Sequence, residues 1–144
     1  MNWTLEVVLV PVSDVDRAMK FYVDKLGFVI DHDTKVSPRV RFAQLTPPGS
    51  SCSIVVAKGI TPGGRRPVAM EPGTLHGLQL VVNDVRTARD QLVERGVDAS
   101  ELEIAGPSGT RPAEDDDDLN NVGFFYFDDP DGNGWAVQQV SARP

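Results

Sequence analysis

The order of apolar and polar positions divides the chain into two similar runs. Residues 3–12, WTLEVVLVPV, are β-branched and apolar, as a buried strand requires. A helix is predicted next. Ser13 or Asp14 stands where a cap is needed, Asp16 favours the positive end of the helix dipole, and Val15, Ala18, Met19, Tyr22, Val23 and Leu26 recur at the spacing of one helical face. Gly27 ends the helix as a left-handed cap would. Strand-like segments follow near 28–34, 39–46 and 51–58, with TPPGSS as the turn between the last two.

The second run repeats the first. Residues 75–82, LHGLQLVV, read as a strand; Asn83 or Asp84 caps a helix that places Val85, Ala88, Leu92 and Val93 on one face, and Gly96 stops it. Strands are predicted near 97–104, 121–128 and 135–141. Asp14-Val15 and Ala18 reappear 70 residues later as Asp84-Val85 and Ala88, and Gly27 reappears 69 residues later as Gly96. This is an internal duplication of a β-α-β-β-β unit. The expected organisation is one domain: module one over 1–58, a Pro- and Gly-rich surface linker over 59–74, and module two over 75–144. The stretch AEDDDDLNN, 113–121, interrupts module two; its adjacent aspartates repel one another and predict a mobile surface loop.

Composition narrows the class. The 144 residues are 40% hydrophobic and 24% charged, enough for one core and too apolar for disorder. No apolar run approaches the ~18 residues of a membrane span. Fourteen basic against 21 acidic residues give a net charge of −7, with the basic ones scattered, so nucleic acid is not an expected partner. The first residues lack a basic leader and a small-residue cleavage site, so a cytoplasmic protein is expected. The single cysteine, Cys52, excludes an internal disulfide and reads as a small packed apolar group.

The stretch FDDPDGNGWAVQQV, 127–140, imitates a calcium loop, but the twelfth position from Asp129 is Val140 where a bidentate Glu belongs, and strand-like segments flank it. It reads instead as a turn in which Pro130 fixes one corner and Gly132, Asn133 and Gly134 tolerate positive φ. No G-x-S-x-G, P-loop or dinucleotide fingerprint is present, and the two histidines, His32 and His76, have no evident triad partners.

The words VPVSDVDRAMKFYVDKLGF (10–28), LQLVVNDVRTARDQLVERGV (78–97) and FDDPDGNGWAVQQV (127–140), together with the duplication, resemble the vicinal oxygen chelate superfamily: glyoxalase I, extradiol dioxygenases and bleomycin-resistance proteins. The resemblance implies an α+β fold of two βαβββ modules whose curved mixed sheets form a cup. In metal-dependent relatives, His, Glu or Gln from the first and last strand of each module line that cup. Counting from the helix-opening aspartates and the turns puts these four seats at Val7, Gly77, Ser53 and Ala136. Three have no side-chain donor and a neutral Ser is a poor ligand for a transition ion, so no metal cofactor is expected. Glu6 and His76 stand one residue before two seats and would come inward only by a bulge or register slip; otherwise Glu6 is a strand-edge carboxylate and His76 a hydrogen-bonded histidine at a strand start.

Alternation from the seats adds Leu5, Leu9, Val55, Gln79, Val81 and Gln138 to the inward set, while Phe42, Phe125 and Trp135 are expected to pack against helices. The lining is then largely apolar, with Ser53, Gln79 and Gln138 to orient an organic molecule. The resulting expectation is a metal-independent small-molecule binder of the drug-sequestering kind, a homodimer in the cytoplasm. The alternatives are a divalent-metal lyase, isomerase or dioxygenase with a displaced Glu6/His76 site, a lyase or isomerase working without metal, and a non-catalytic scaffold.

Overall fold

The computed structural model describes residues 1–59 and 66–141. Residues 60–65 of the expected linker lie outside the described residues. Two compact units emerge: the chain up to residue 75 together with 129–133, and residues 76–128 with the chain from 134 onward.

The first unit contains β1 (Val7–Pro11), α1 (Val15–Asp24), β2 (Val29–Ser37), β3 (Val40–Thr46) and β4 (Ser53–Lys58). Its sheet has the order β1-β4-β3-β2, with β1 parallel to β4 and the other pairs antiparallel. Asp14, not Ser13, caps α1: its carboxylate accepts from Arg17 N at 3.0 Å. Val15, Ala18 and Tyr22 are buried, as the helical spacing requires. The chain leaves α1 through Gly27 at φ +75°, whose N–H bonds to Val23 O. Arg41 ties Asp16 of α1 to Asp33 of β2 at 2.6 and 3.1 Å, which identifies the sheet face under the helix. On that face Val10, Ala43, Leu45 and Val56 are fully buried.

The second unit contains β5 (His76–Val82), α2 (Val85–Glu94), β6 (Glu103–Gly106), β7 (Gly109–Pro112), β8 (Gly123–Asp128) and β9 (Gly134–Gln139). The sheet order is β5-β9-β8-β6-β7, and β5 runs parallel to β9. Asp84 caps α2 by accepting from Thr87 N and Thr87 Oγ1, and these bonds hold its carboxyl below the usual aspartate range. Gln139 Oε1 accepts from Val85 N, so the helix side of this sheet carries Phe125, Phe127, Trp135 and Val137, all buried. Val93, expected on the buried helix face, is 46% exposed. The strand expected over 97–104 begins only at Glu103, and β7 is new. Its four exposed residues carry no alternation for a sequence reading to find.

The acidic stretch is a surface loop, as its charge predicts, and hydrogen bonds tether it. Asp117 accepts two bonds from the Arg111 guanidinium, at 2.8 and 2.9 Å, and one from Glu114 N at 2.7 Å, while Arg86 donates to Glu114 O at 2.6 Å. One aspartate of the run thus turns onto the Arg111 guanidinium six residues before it, and Asp115, Asp116 and Asp118 take the solvent. The Arg111 bonds, and then the Glu114 N–H, lower the Asp117 pKa to about 2. A carboxylate depressed on folding stabilises above its unfolded value and ceases to do so as pH falls through the folded one. The tether should therefore persist down to pH about 4 and release between about 4 and 2. A carboxyl NMR titration of Asp117 checks this; a midpoint near 4 would refute it.

The 127–140 stretch is a turn, as expected, but Asn133 works through its side chain. Of the three residues expected to take positive φ there, only Gly132 does, at +98°. Buried Asp129 accepts from Asp131 N and Asn133 N through Oδ1, and from Tyr22 OH and Asn133 Nδ2 through Oδ2, all at 2.8–2.9 Å. Fully buried Asn133 also donates to Pro11 O and accepts from Gly73 N and Leu75 N. Asp131 receives Ser13 Oγ and Arg17. The aspartates of the apparent calcium loop are thus committed to peptide and side-chain donors of the first unit.

Candidate functional site

Each sheet has a second face, turned away from its helix. In the first unit β1 and β4 place Val7 directly opposite Ser53 and Leu9 opposite Val55. β3 adds Phe42, Gln44 and Thr46, and β2 adds Val29, His32 and Thr34. Phe42, expected to pack against a helix, therefore lies on this open face. Ser53 is 6% exposed, and its hydroxyl lies 2.6 Å from that of Thr46, which donates to the Asp31 carboxylate. Asp31 is available for that bond because the β2–β3 register shifts between Ile30 and His32. Glu6 lies before the first paired residue of β1, free of strand alternation, and its Oε1 accepts from Gln44 Nε2 at 3.4 Å. The strand-edge carboxylate thus reaches the open face.

In the second unit Gln79 pairs with Ala136 and Val81 with Gln138. Gln79 Nε2 donates to Gln138 Oε1 at 2.6 Å, and Gln138 Nε2 to Asn121 O at 2.8 Å, which fixes both amides. Beside the position counted to Gly77, His76 turns to the open face. The β5–β9 register shifts between His76 and Leu78, Gly77 absorbs the irregularity at φ +104°, and His76 pairs with Gly134 on the face of Ala136 and Gln79. A side chain at 134 would meet the imidazole: a Cβ there would stand 2.7 Å from His76 Nδ1. Around this point lies a hollow of about 270 Å³ lined by His76, Gly77, Tyr126, Asp128, Gly134, Trp135 and Ala136. Phe125 and Trp135 are core residues of the helix side, as expected.

The sequence reading brought Val7 together with Ser53, and Gln79 with Gln138 and Ala136. It missed Gln44, Thr46, Asp31, Phe124, Tyr126 and Asp128. In FFYFD the aromatic residues of both faces follow one another, so nothing in hydropathy separates Phe124 and Tyr126 from buried Phe125 and Phe127. The family model for the Glyoxalase/Bleomycin resistance protein/Dioxygenase superfamily matches residues 4–137. The chain belongs to this superfamily.

Among solved structures, this superfamily member is similar to TnmS3, an antibiotic binding protein from Streptomyces sp. CB03234, at 30% identity and TM-score 0.69 over 97% of this chain and 98% of that one. A glyoxalase/bleomycin resistance protein from the same Streptomyces strain is 29% identical at TM-score 0.67, over 94% and 100% of the two chains. A superfamily member from Sphaerobacter thermophilus DSM 20745 is 28% identical at TM-score 0.64, over 96% and 98%. No curated protein matches significantly. Among the described residues no helix is long and apolar enough to cross a membrane.

The donors present do not fit the divalent ion that the resemblance implies for metal-dependent relatives. Val7 and Ala136 offer no ligand atom, and the Ser53 hydroxyl is already engaged by Thr46. Among the described residues no three His, Cys, Asp or Glu side chains gather as an ion would need.

Proposed function

We propose that this superfamily member binds a small, largely apolar organic molecule on the open faces of its sheets, without a metal, and sequesters it rather than transforming it. The observation that carries this reading is the lining. On the first unit's sheet Val7, Leu9 and Val55 supply apolar surface and Ser53 a hydroxyl held by Thr46; on the second unit's sheet Ala136 and Val81 supply apolar surface and Gln79 and Gln138 amides bonded to each other. The likeness to an antibiotic binding protein over nearly the full length of both chains supports the ligand class. A cytoplasmic homodimer belongs to the same reading: Val29 and Val36 of β2, an edge strand of the first sheet, are 56 and 67% exposed, apolar side chains that a second copy would cover.

A second reading, a metal-dependent lyase, isomerase or dioxygenase, draws on the bulge that turns His76 to the open face and on Glu6 reaching Gln44. One experiment separates the two. Protein dialysed against a chelator is screened by thermal shift with planar aromatic antibiotics, and its metal content is measured before and after. The binder should retain its thermal shifts after chelation, with Gln79→Ala weakening them. Stoichiometric metal that is lost in the Glu6→Ala and His76→Ala variants would overturn the proposal in favour of the metalloenzyme. Silence across a broad library would favour the scaffold.

A further inference from the structure

The open face of the second unit carries an aromatic shelf bounded by negative charge. Phe124 and Tyr126 alternate on β8 with ring planes 8° apart and centroids 6.3 Å apart, and Tyr126 is 40% exposed beside the 270 Å³ hollow. Asp128 follows Tyr126 on the same face and lines that hollow; Glu103 is the cross-strand partner of Phe124. Neither carboxylate makes an ion pair among the described residues. Arg111, the one Lys or Arg in the strands of this unit, stands opposite Ile104 on the other face and is held by Asp117. The shelf therefore has, among the described residues, a carboxylate without an ion-pair partner at each end, and the His76 imidazole shares the hollow with Asp128.

Such a surface discriminates by charge as well as by shape. The π-face of an exposed ring attracts a cation, and a flat ligand aligned with one ring is also aligned with the other, because the two are nearly parallel. A carboxylate alongside adds a Coulombic preference for the same cation and repels an anion. We propose that this face selects planar aromatic cations, meaning amine-bearing polycycles, with Phe124 and Tyr126 as the stacking surface and Asp128 as the residue that reads charge. The inference rests on the small-molecule reading above and narrows its ligand class.

The test titrates the full chain at low salt with three flat three-ring probes: proflavine, a cation; acridone, neutral; and anthraquinone-2-sulfonate, an anion. Proflavine should bind about tenfold more tightly than acridone, the size expected of one exposed cation–π contact and one exposed charge pair. The anion should bind least. Asp128→Asn should bring proflavine close to acridone while leaving acridone unchanged, Tyr126→Ala should weaken both, and Asp115→Asn in the acidic loop should change neither. Equal binding of proflavine and acridone, or a preference that survives Asp128→Asn, overturns the inference and leaves the broader reading standing. Failure of all three probes to bind overturns this inference, whereas the broader reading falls only with silence in the antibiotic screen.

Discussion

Replacing Asn133 with alanine should lower the unfolding free energy by roughly 3–4 kcal/mol, among the largest effects a single substitution in this chain can have. The side chain is fully buried and uses both amide atoms: Nδ2 donates to Pro11 O and to Asp129 Oδ2, and Oδ1 accepts from Gly73 N and Leu75 N. Alanine would strand one carbonyl, two peptide N–H groups and part of a buried carboxylate. Each unmet group costs about 1–3 kcal/mol, and the sum falls short of additive because neighbours relax and water enters. Urea denaturation with an unchanged m-value would measure the loss. A loss under about 1 kcal/mol would mean that the turn holds without its amide.

Gly73→Ala should cost roughly 3 kcal/mol or more, for a steric reason. Gly73 has φ +83°, and a Cβ there would stand 2.1 Å from Asp131 O, a backbone atom that cannot swing aside. Because Gly73 N is also a donor to Asn133 Oδ1, moving it breaks a bond that Asn133→Ala breaks too. The double variant should therefore lose less than the two single losses combined. Full additivity, measured by the same denaturation series, would show that the two residues do not share one structure.

Much of the fold was legible because it is written in local, repeated signals. Asp14 and Asp84 cap their helices through identical bonds to the third residue on, and Gly27 and Gly96 end them at positive φ. Helical spacing identified Val15, Ala18 and Tyr22 because a helix face is fixed by 3.6-residue geometry whatever surrounds it. The short strand β7 escaped because an exposed strand of four residues carries no alternation. The acidic run was legible as a surface loop, but its tether was not, because composition counts charges without showing which one meets Arg111.

The candidate site was legible only as far as register is regular. The seats implied by the family resemblance put Val7 with Ser53, and alternation from the seat at Ala136 put Gln79 beside it, as the pairing has them. It failed at Gly77, where one bulge exchanges a glycine for a histidine on the open face, and at Asp31, where another brings a carboxylate to Thr46. A period of two has no memory of an inserted residue, so every side chain beyond a bulge changes face without any change in sequence pattern.

By itself, then, the sequence determined the duplicated order of elements, their caps and stops, the superfamily, and the poverty of ligand atoms at four counted positions. These depend on residues near one another in the chain or on counts from them. The tertiary structure alone decided that His76 and Asp128 flank one hollow, that Phe124 and Tyr126 form a shelf, and that Asn133 joins four separate groups. Those facts are set by register shifts and by hydrogen bonds between residues up to 122 positions apart, which no local pattern encodes.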